Sequence, residues 1–139
     1  MEEKKSKTVV ATGKRKTSVA RATLKEGSGK ILINDTLLDF YQPEYVRLKI
    51  REALVIAGDL SQKVDINVNA RGGGTVSQAD AIRQSIAKAM VEFFKNENLK
   101  KMYLDYDRSL LVYDARRTEP HKPSRSRKGA RRHKQRSKR

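Results

Sequence analysis

Hydrophobic and polar positions alternate with a period of two in several short stretches and with a helical period in two longer ones. Residues 64–70 (VDINVNA) give the cleanest strand, with Val64, Ile66, Val68 and Ala70 pointing one way and Asp65, Asn67 and Asn69 the other. Residues 8–13 (TVVATG) and 17–27 (TSVARATLKEG) read as two strands around the basic turn GKRK. In the second of these, Ala20, Ala22 and Leu24 make a small apolar face, while Val19, Arg21 and Thr23 make a polar one. The GSG at 27–29 is a turn, and 30–35 (KILIND) is a third strand, expected as a hairpin partner.

Pro43 suits a first helical turn, and Val46, Ile50, Ala53 and Ala57 follow on one stripe that Gly58 stops. Ala79, Ile82, Ile86, Met90 and Phe93 form a longer stripe, with Thr75 and Gln78 at the spacing of a capping box. Residues 109–114 (SLLVYD) are expected to form a last strand or a short extended segment. The order β-β-β-α-β-α predicts an α+β fold, a small mixed or antiparallel sheet with two main helices on one face. Residues 1–115 are enough for one modest core. Residues 116–139 are too polar to offset their own ordering entropy and are expected to form an extended basic tail.

Charge changes this picture most. The 139 residues carry 32 Lys and Arg against 16 Asp and Glu, a net charge of +16. From Arg116 onward there are 12 basic residues and one acid, Glu119, so +11 of the excess lies in the tail and +5 in residues 1–115. Such asymmetry is the footprint of a polyanion binder, because each neutralised phosphate releases counterions. There is no cysteine, which excludes disulfides and thiolate metal sites. No apolar run approaches a membrane span, and MEEKKSK lacks the apolar core of a secretory signal, so a soluble cytoplasmic protein is expected.

The candidate chemistry is sparse. GKRKTS (13–18) lacks the upstream glycine of a phosphate-binding P-loop and reads either as a solvated basic turn or as a backbone-contacting one. RGGGTVSQADAIR (71–83) joins a glycine-rich connection to a helix N-terminus, where unpaired N–H groups face an anion, or else is simply a flexible link. It is not a dinucleotide fingerprint. His121 and His133 stand in the tail without a carboxylate cluster, and Asp105 and Asp107 beside Tyr103 and Tyr106 mark a turn more than an acid–base pair. No catalytic, metal or cofactor site is legible. The last eighteen residues have no aromatic to stack bases, yet their six arginines can stack and bind phosphate bidentately. They read as a segment that orders on RNA.

Three blocks together resemble the small ribosomal subunit protein nine family over almost the whole chain. They are ATGKRKTSVARATLKEGSGKILIND, VNARGGGTVSQADAIRQSIAKAM and LLVYDARRTEPHKPSRSRKGARRHKQRSKR. The wording TVSQADAIRQ is closer to archaeal or eukaryotic members than to bacterial ones, and an archaeal source is expected. The resemblance implies a left-handed β-α-β crossover, against the usual hand. It also implies a non-enzymatic, ribosome-bound constituent of the subunit head, touching small-subunit rRNA, neighbouring head proteins and P-site tRNA. By the same resemblance, Lys14, Arg15, Lys16, Thr17, Arg71, Gly72, Gly73, Gly74, Gln78 and Arg83 become rRNA-facing. Arg116, Arg117, Lys122, Arg125, Arg127, Lys128, Arg131, Arg132, Lys134 and Arg136 would line the tail's path along rRNA. Ser137, Lys138 and Arg139 would form the tip that meets tRNA. The rival classes are a protein that coats DNA non-specifically and an RNA-modifying enzyme, the latter without a visible constellation.

Overall fold

The structure is a computed structural model that describes residues 7–123, 125 and 127–129. Five strands form one sheet: β1 (Thr8–Arg15), β2 (Ser18–Glu26), β3 (Ile31–Ile33), β4 (Thr36–Leu37) and β5 (Val64–Arg71). Three helices accompany it: α1 (Glu44–Ala57), α2 (Thr75–Phe94) and α3 (Glu97–Tyr106). The strand order is β1-β2-β5-β3-β4, with β5 antiparallel to β2 and parallel to β3. The sheet is therefore mixed and the fold α+β, as the alternation indicated.

The period-two faces are the packed faces. Ala20, Ala22 and Leu24 of β2 sit beside Ala70, Val68 and Ile66 of β5, and all are buried under α2. Asn67 and Asn69 are exposed on the opposite side. On α2, Ile82, Ile86 and Met90 are fully buried, while Val46, Ile50 and Ala53 of α1 pack beside them. The small residues of β1 and β2 explain how close the layers come. At Gly13 a side-chain carbon would fall on the Ala81 carbonyl oxygen and lie 2.7 Å from the Ser85 amide nitrogen, so the β1 backbone rests directly on α2.

Four expectations are corrected. The third strand is not the hairpin partner of the second. It pairs in parallel with β5, and its hairpin partner is the short β4 across Asn34 and Asp35, both at positive φ as a tight two-residue turn requires. Asn34 is fixed there because its side-chain oxygen accepts from the Ala70 amide at 2.9 Å. Residues 109–114 are not a strand; Arg108–Leu110 form a 3-10 turn that buries Leu110 in the core. A third helix, α3, falls where the sequence pattern offers only a turn around Tyr103, Asp105, Tyr106 and Asp107. Its single inward pair is Leu99 and Tyr103, and Asn96 caps it by accepting from the amides of Asn98 (2.9 Å) and Leu99 (3.3 Å). Finally, Thr75 makes no cap; the N-cap of α2 is Gly74, without a side-chain bond.

The Gly13 contact gives a direct test. Gly13→Ala is expected to destabilise the fold by roughly 1–3 kcal/mol, because the added methyl must push a strand off a helix backbone. The measurement is the denaturant midpoint, with the unfolding slope unchanged.

Candidate nucleic-acid interface

The two basic or glycine-rich motifs, more than fifty residues apart in sequence, meet at one end of the sheet. Arg15 pairs with Ser18 across the β1–β2 hairpin, and Val19 pairs with Arg71 at the end of β5. The turn residue Lys16 takes a left-handed conformation (φ 52°), which projects the Lys16–Thr17 corner beyond the sheet. The corner is held from two sides. The Lys14 amide donates to the Gln84 side-chain oxygen on α2 at 2.9 Å. The Ser18 hydroxyl donates to the Gly72 carbonyl at 2.9 Å.

The glycine loop folds back onto this corner. Gly72 and Gly73 have φ of 78° and 65°, which disfavours a β-carbon at either position. One at Gly72 would lie 2.6 Å from the Thr17 carbonyl oxygen, and one at Gly73 would fall on the Ser18 hydroxyl. Gln78, one of the residues expected to face RNA, donates its side-chain amide to the same Gly72 carbonyl at 3.0 Å. Its role in the structure is to hold the loop. Gly74 then opens α2, so exposed backbone N–H groups of the first helical turn stand beside Arg71 and the hairpin corner.

Lys14, Lys16 and Arg71 are exposed around this end. Arg15 is not, because an ion pair to Asp114 and a looser one to Asp80 (3.9 Å) draw it inward. Arg83 is more deeply engaged. At 8% exposure it meets Glu52 at 2.5 Å, Asp107 at 3.1 Å and Asp80 at 3.6 Å, and it donates to the Ser109 hydroxyl at 3.2 Å. Expected at the RNA-facing surface, it instead ties α2 to α1 and to the segment after α3. Asp80 also takes Lys49 at 2.8 Å. Arg15, Asp80, Arg83, Asp107 and Asp114 line a cleft of about 310 Å³ between the hairpin and the start of the tail.

Asp114, which the sequence did not single out, is the hinge-pin of this region. It binds Arg15 and also accepts from the Arg116 backbone amide (3.0 Å), Nε (3.1 Å) and Nη2 (2.8 Å). Those bonds from Arg116, side chain first, hold its carboxyl well below the usual carboxylate range and raise the Arg116 guanidinium in turn. Next to it, Arg117 donates to the Tyr113 hydroxyl at 2.8 Å. The first tail residues therefore leave from the hairpin end of the domain. Lys122, Arg125, Arg127 and Lys128 are exposed further on, with a turn closed by the Arg125 amide on the Lys122 carbonyl at 3.3 Å. Arg131, Arg132, Lys134, Arg136, Ser137, Lys138 and Arg139 lie outside the described residues, as does His133. The spacing of Asp80 and Arg83, three apart on a helix, was a readable signal; the pairing of Arg15 with Asp114 was not.

No group of three or more His, Cys, Asp or Glu among the described residues could hold a metal ion. No helix among them is long and apolar enough to cross a membrane. What the fold and this end of it define is a small basic α+β domain that gathers exposed cations and open helix N–H groups at one end of its sheet. The family described as ribosomal protein S9/S16 matches residues 13–139, and the chain belongs to it. A Methanococcus vannielii protein named small ribosomal subunit protein uS9 is 52% identical over 131 residues, 94% of this chain and 98% of the relative. Proteins of the same name from Methanococcus maripaludis (51%, with the same coverage) and Desulfurococcus amylolyticus (49% over 85% of this chain and 84% of the relative) are similar too. All three organisms are archaea, in line with the archaeal cast of the TVSQADAIRQ wording. Members of this family are ribosomal proteins and not enzymes.

Acid should release the Arg83 network. Burial pushes the Asp107 carboxyl up, but the Ser109 amide and hydroxyl and the Arg83 charge outweigh it and leave Asp107 below its ordinary value. A carboxylate lowered in the folded state stabilises above its unfolded pKa, near 4, and loses that contribution as pH falls through the lower folded value. The stability gap between wild type and Asp107→Asn is therefore expected to be full at pH 7 and to shrink below about pH 4, read from denaturant midpoints across pH.

Proposed function

We propose that this protein is a structural constituent of the small ribosomal subunit, built into its head on small-subunit rRNA, with its final residues touching P-site tRNA. The observation that carries the reading is the convergence of the hairpin corner (Lys14, Lys16, Thr17), the glycine loop (Arg71, Gly72, Gly73, Gly74) and the root of the tail (Arg116, Arg117) at one end of the sheet. The name borne by its archaeal relatives supports the same assignment. Residues 1–115 act as the docking domain and 116–139 as the tail that orders along RNA. At the docking end, exposed lysines neutralise phosphates and the glycine loop lets an RNA backbone approach the N-terminus of α2. Arg15 and Arg83 serve the scaffold behind that surface, held in ion pairs.

In the tail, Lys122, Arg125, Arg127, Lys128, Arg131, Arg132, Lys134 and Arg136 contribute phosphate contacts and guanidinium stacking. Ser137, Lys138 and Arg139 act at the tRNA. The partners are rRNA, P-site tRNA and neighbouring proteins of the head, and the protein resides on cytoplasmic ribosomes. No cofactor or small-molecule substrate enters this reading.

Gradient fractionation tests the assignment: the protein is expected to co-migrate with small subunits at moderate salt, and recovery mainly with DNA or in free form would overturn it. Truncation after Arg116 should flatten the salt dependence of RNA binding. For a tail that neutralises about six to ten phosphates, a fall in affinity of about 10³–10⁵ between 50 and 200 mM salt should largely disappear on truncation, as read by filter binding. Deleting Ser137, Lys138 and Arg139 alone should leave subunit assembly intact and weaken P-site tRNA binding. Unchanged tRNA affinity in assembled subunits would refute the role given to the tip.

A further inference from the structure

The acids of this basic chain are concentrated. Residues 34–62 carry five (Asp35, Asp39, Glu44, Glu52, Asp59) against three cations (Arg47, Lys49, Arg51), a net charge of −2, so the remainder of the chain carries +18. The same stretch holds the exposed apolar side chains Leu37, Phe40, Tyr45, Leu48 and Val55. On α1 the two kinds of residue form one row. Glu44, Leu48, Glu52, Val55 and, just past the helix, Asp59 follow at spacings of four, four, three and four, which is one face of a helix. That face points away from the buried stripe of Val46, Ile50, Ala53 and Leu54, and Val55 is 76% exposed.

Beside the row runs a groove of about 580 Å³ between α1 and the β3–β4 edge, with Ile31, Leu37, Leu38, Leu54 and Val55 as its apolar lining. Its charged members are Lys30, Asp39, Arg51 and Asp59. Arg51 is already paired to Asp39, and Lys30 lies beside Asp65, which leaves Asp59 as the carboxylate facing the groove without either cation. The groove opens near Gly29 and Gln62, at the start of β5, whereas the cationic end lies at its finish. An eight-residue strand at about 3.3 Å per residue separates the two ends by roughly 25 Å.

The geometry points to this acidic and apolar face as a docking site for a basic protein segment that carries apolar anchors, supplied by a neighbouring protein of the particle. The inference rests on the ribosomal reading and adds to it the surface and the partner's chemistry. Glu52 of this row is engaged by Arg83 and Glu44 lies 3.8 Å from Arg47, so Asp59 and the exposed Glu44 are the carboxylates that repel phosphate and attract Lys and Arg, while the groove buries aliphatic or aromatic side chains rather than sugar and phosphate. The chain's own tail does not fit, because its last eighteen residues contain no Val, Leu, Ile, Met, Phe, Tyr or Trp to fill the apolar lining.

Zero-length carboxyl–amine crosslinking of assembled small subunits, with the joined peptides sequenced, tests it. Glu44 or Asp59 is expected to be joined to a lysine of a different protein. In subunits carrying Leu48→Lys with Val55→Lys, both exposed positions that the fold does not need, that crosslink should fall at least tenfold while co-migration with the subunit is unchanged. Four results would each overturn the proposal: carboxylates that remain free to couple to a small soluble amine, crosslinks only to Lys4, Lys5, Lys134 or Lys138 of the same chain, joining to a second copy, or ultraviolet crosslinks placing RNA on Phe40 or Tyr45. Absence of the wild-type protein from small subunits would instead overturn the ribosomal reading, and this inference with it.

Discussion

Everything at the cationic end depends on β1 lying against α2 with nothing between the two backbones. Gly13 makes that contact possible, since any β-carbon there would overlap the Ala81 carbonyl. The consequences run outward from it. With the strand that close, the Gln84 side chain can take the Lys14 amide, and Lys88 reaches the Thr12 carbonyl at 3.3 Å. The hairpin corner is then a rigid extension of the helix. Ser18, at the foot of the corner, in turn secures Gly72, so the loop before α2 is fixed by a strand that α2 itself positions. The arrangement closes on itself, which is why three separate sequence motifs share one location.

Charge abundance and charge availability are different quantities here. Arg15 and Arg83 look, in sequence, like further members of the basic surface. Asp80, Asp107, Asp114 and Glu52 withdraw them into the scaffold, where paired guanidinium groups brace three elements against one another. Removing one partner from such a set leaves the rest uncompensated, so these residues act together. At this end of the sheet the exposed cations are Lys14, Lys16 and Arg71, with Arg116 and Arg117 at the root of the tail. A net charge counts cations; only the pairing says which of them the scaffold has already taken up.

The sheet's faces were legible because strict alternation over β2 and β5 leaves one arrangement that buries Ala20, Ala22, Leu24, Ile66 and Val68 together. The long stripe of α2 was legible for the same reason at helical period. The parallel pairing of β3 was not, because three residues of strand carry no information about which neighbour they will join. Helix α3 was hidden by its brevity: two inward residues are too few to make a period, and the Tyr103 hydroxyl's buried bond to the Ala53 carbonyl (2.8 Å) is a long-range event. The candidate site divides in the same way. Its glycines and exposed lysines announced themselves by residue type, whereas the internal roles of Gln78, Arg83 and Asp114 depend on partners that folding alone brings near.

The attachment of Arg116 to Asp114, and of Asp114 to Arg15, has a kinetic meaning. A polymer segment tethered beside a docking surface searches only the volume its slack allows. Under the proposed function, seating the hairpin end on RNA would make the tail's own encounter with that RNA intramolecular, at an effective concentration of about millimolar order for a short linker. A tail rooted at the far edge of the sheet would have to cross the domain first. With the root at the cationic corner, the proposed docking of the domain would deliver the start of the tail to the same stretch of RNA.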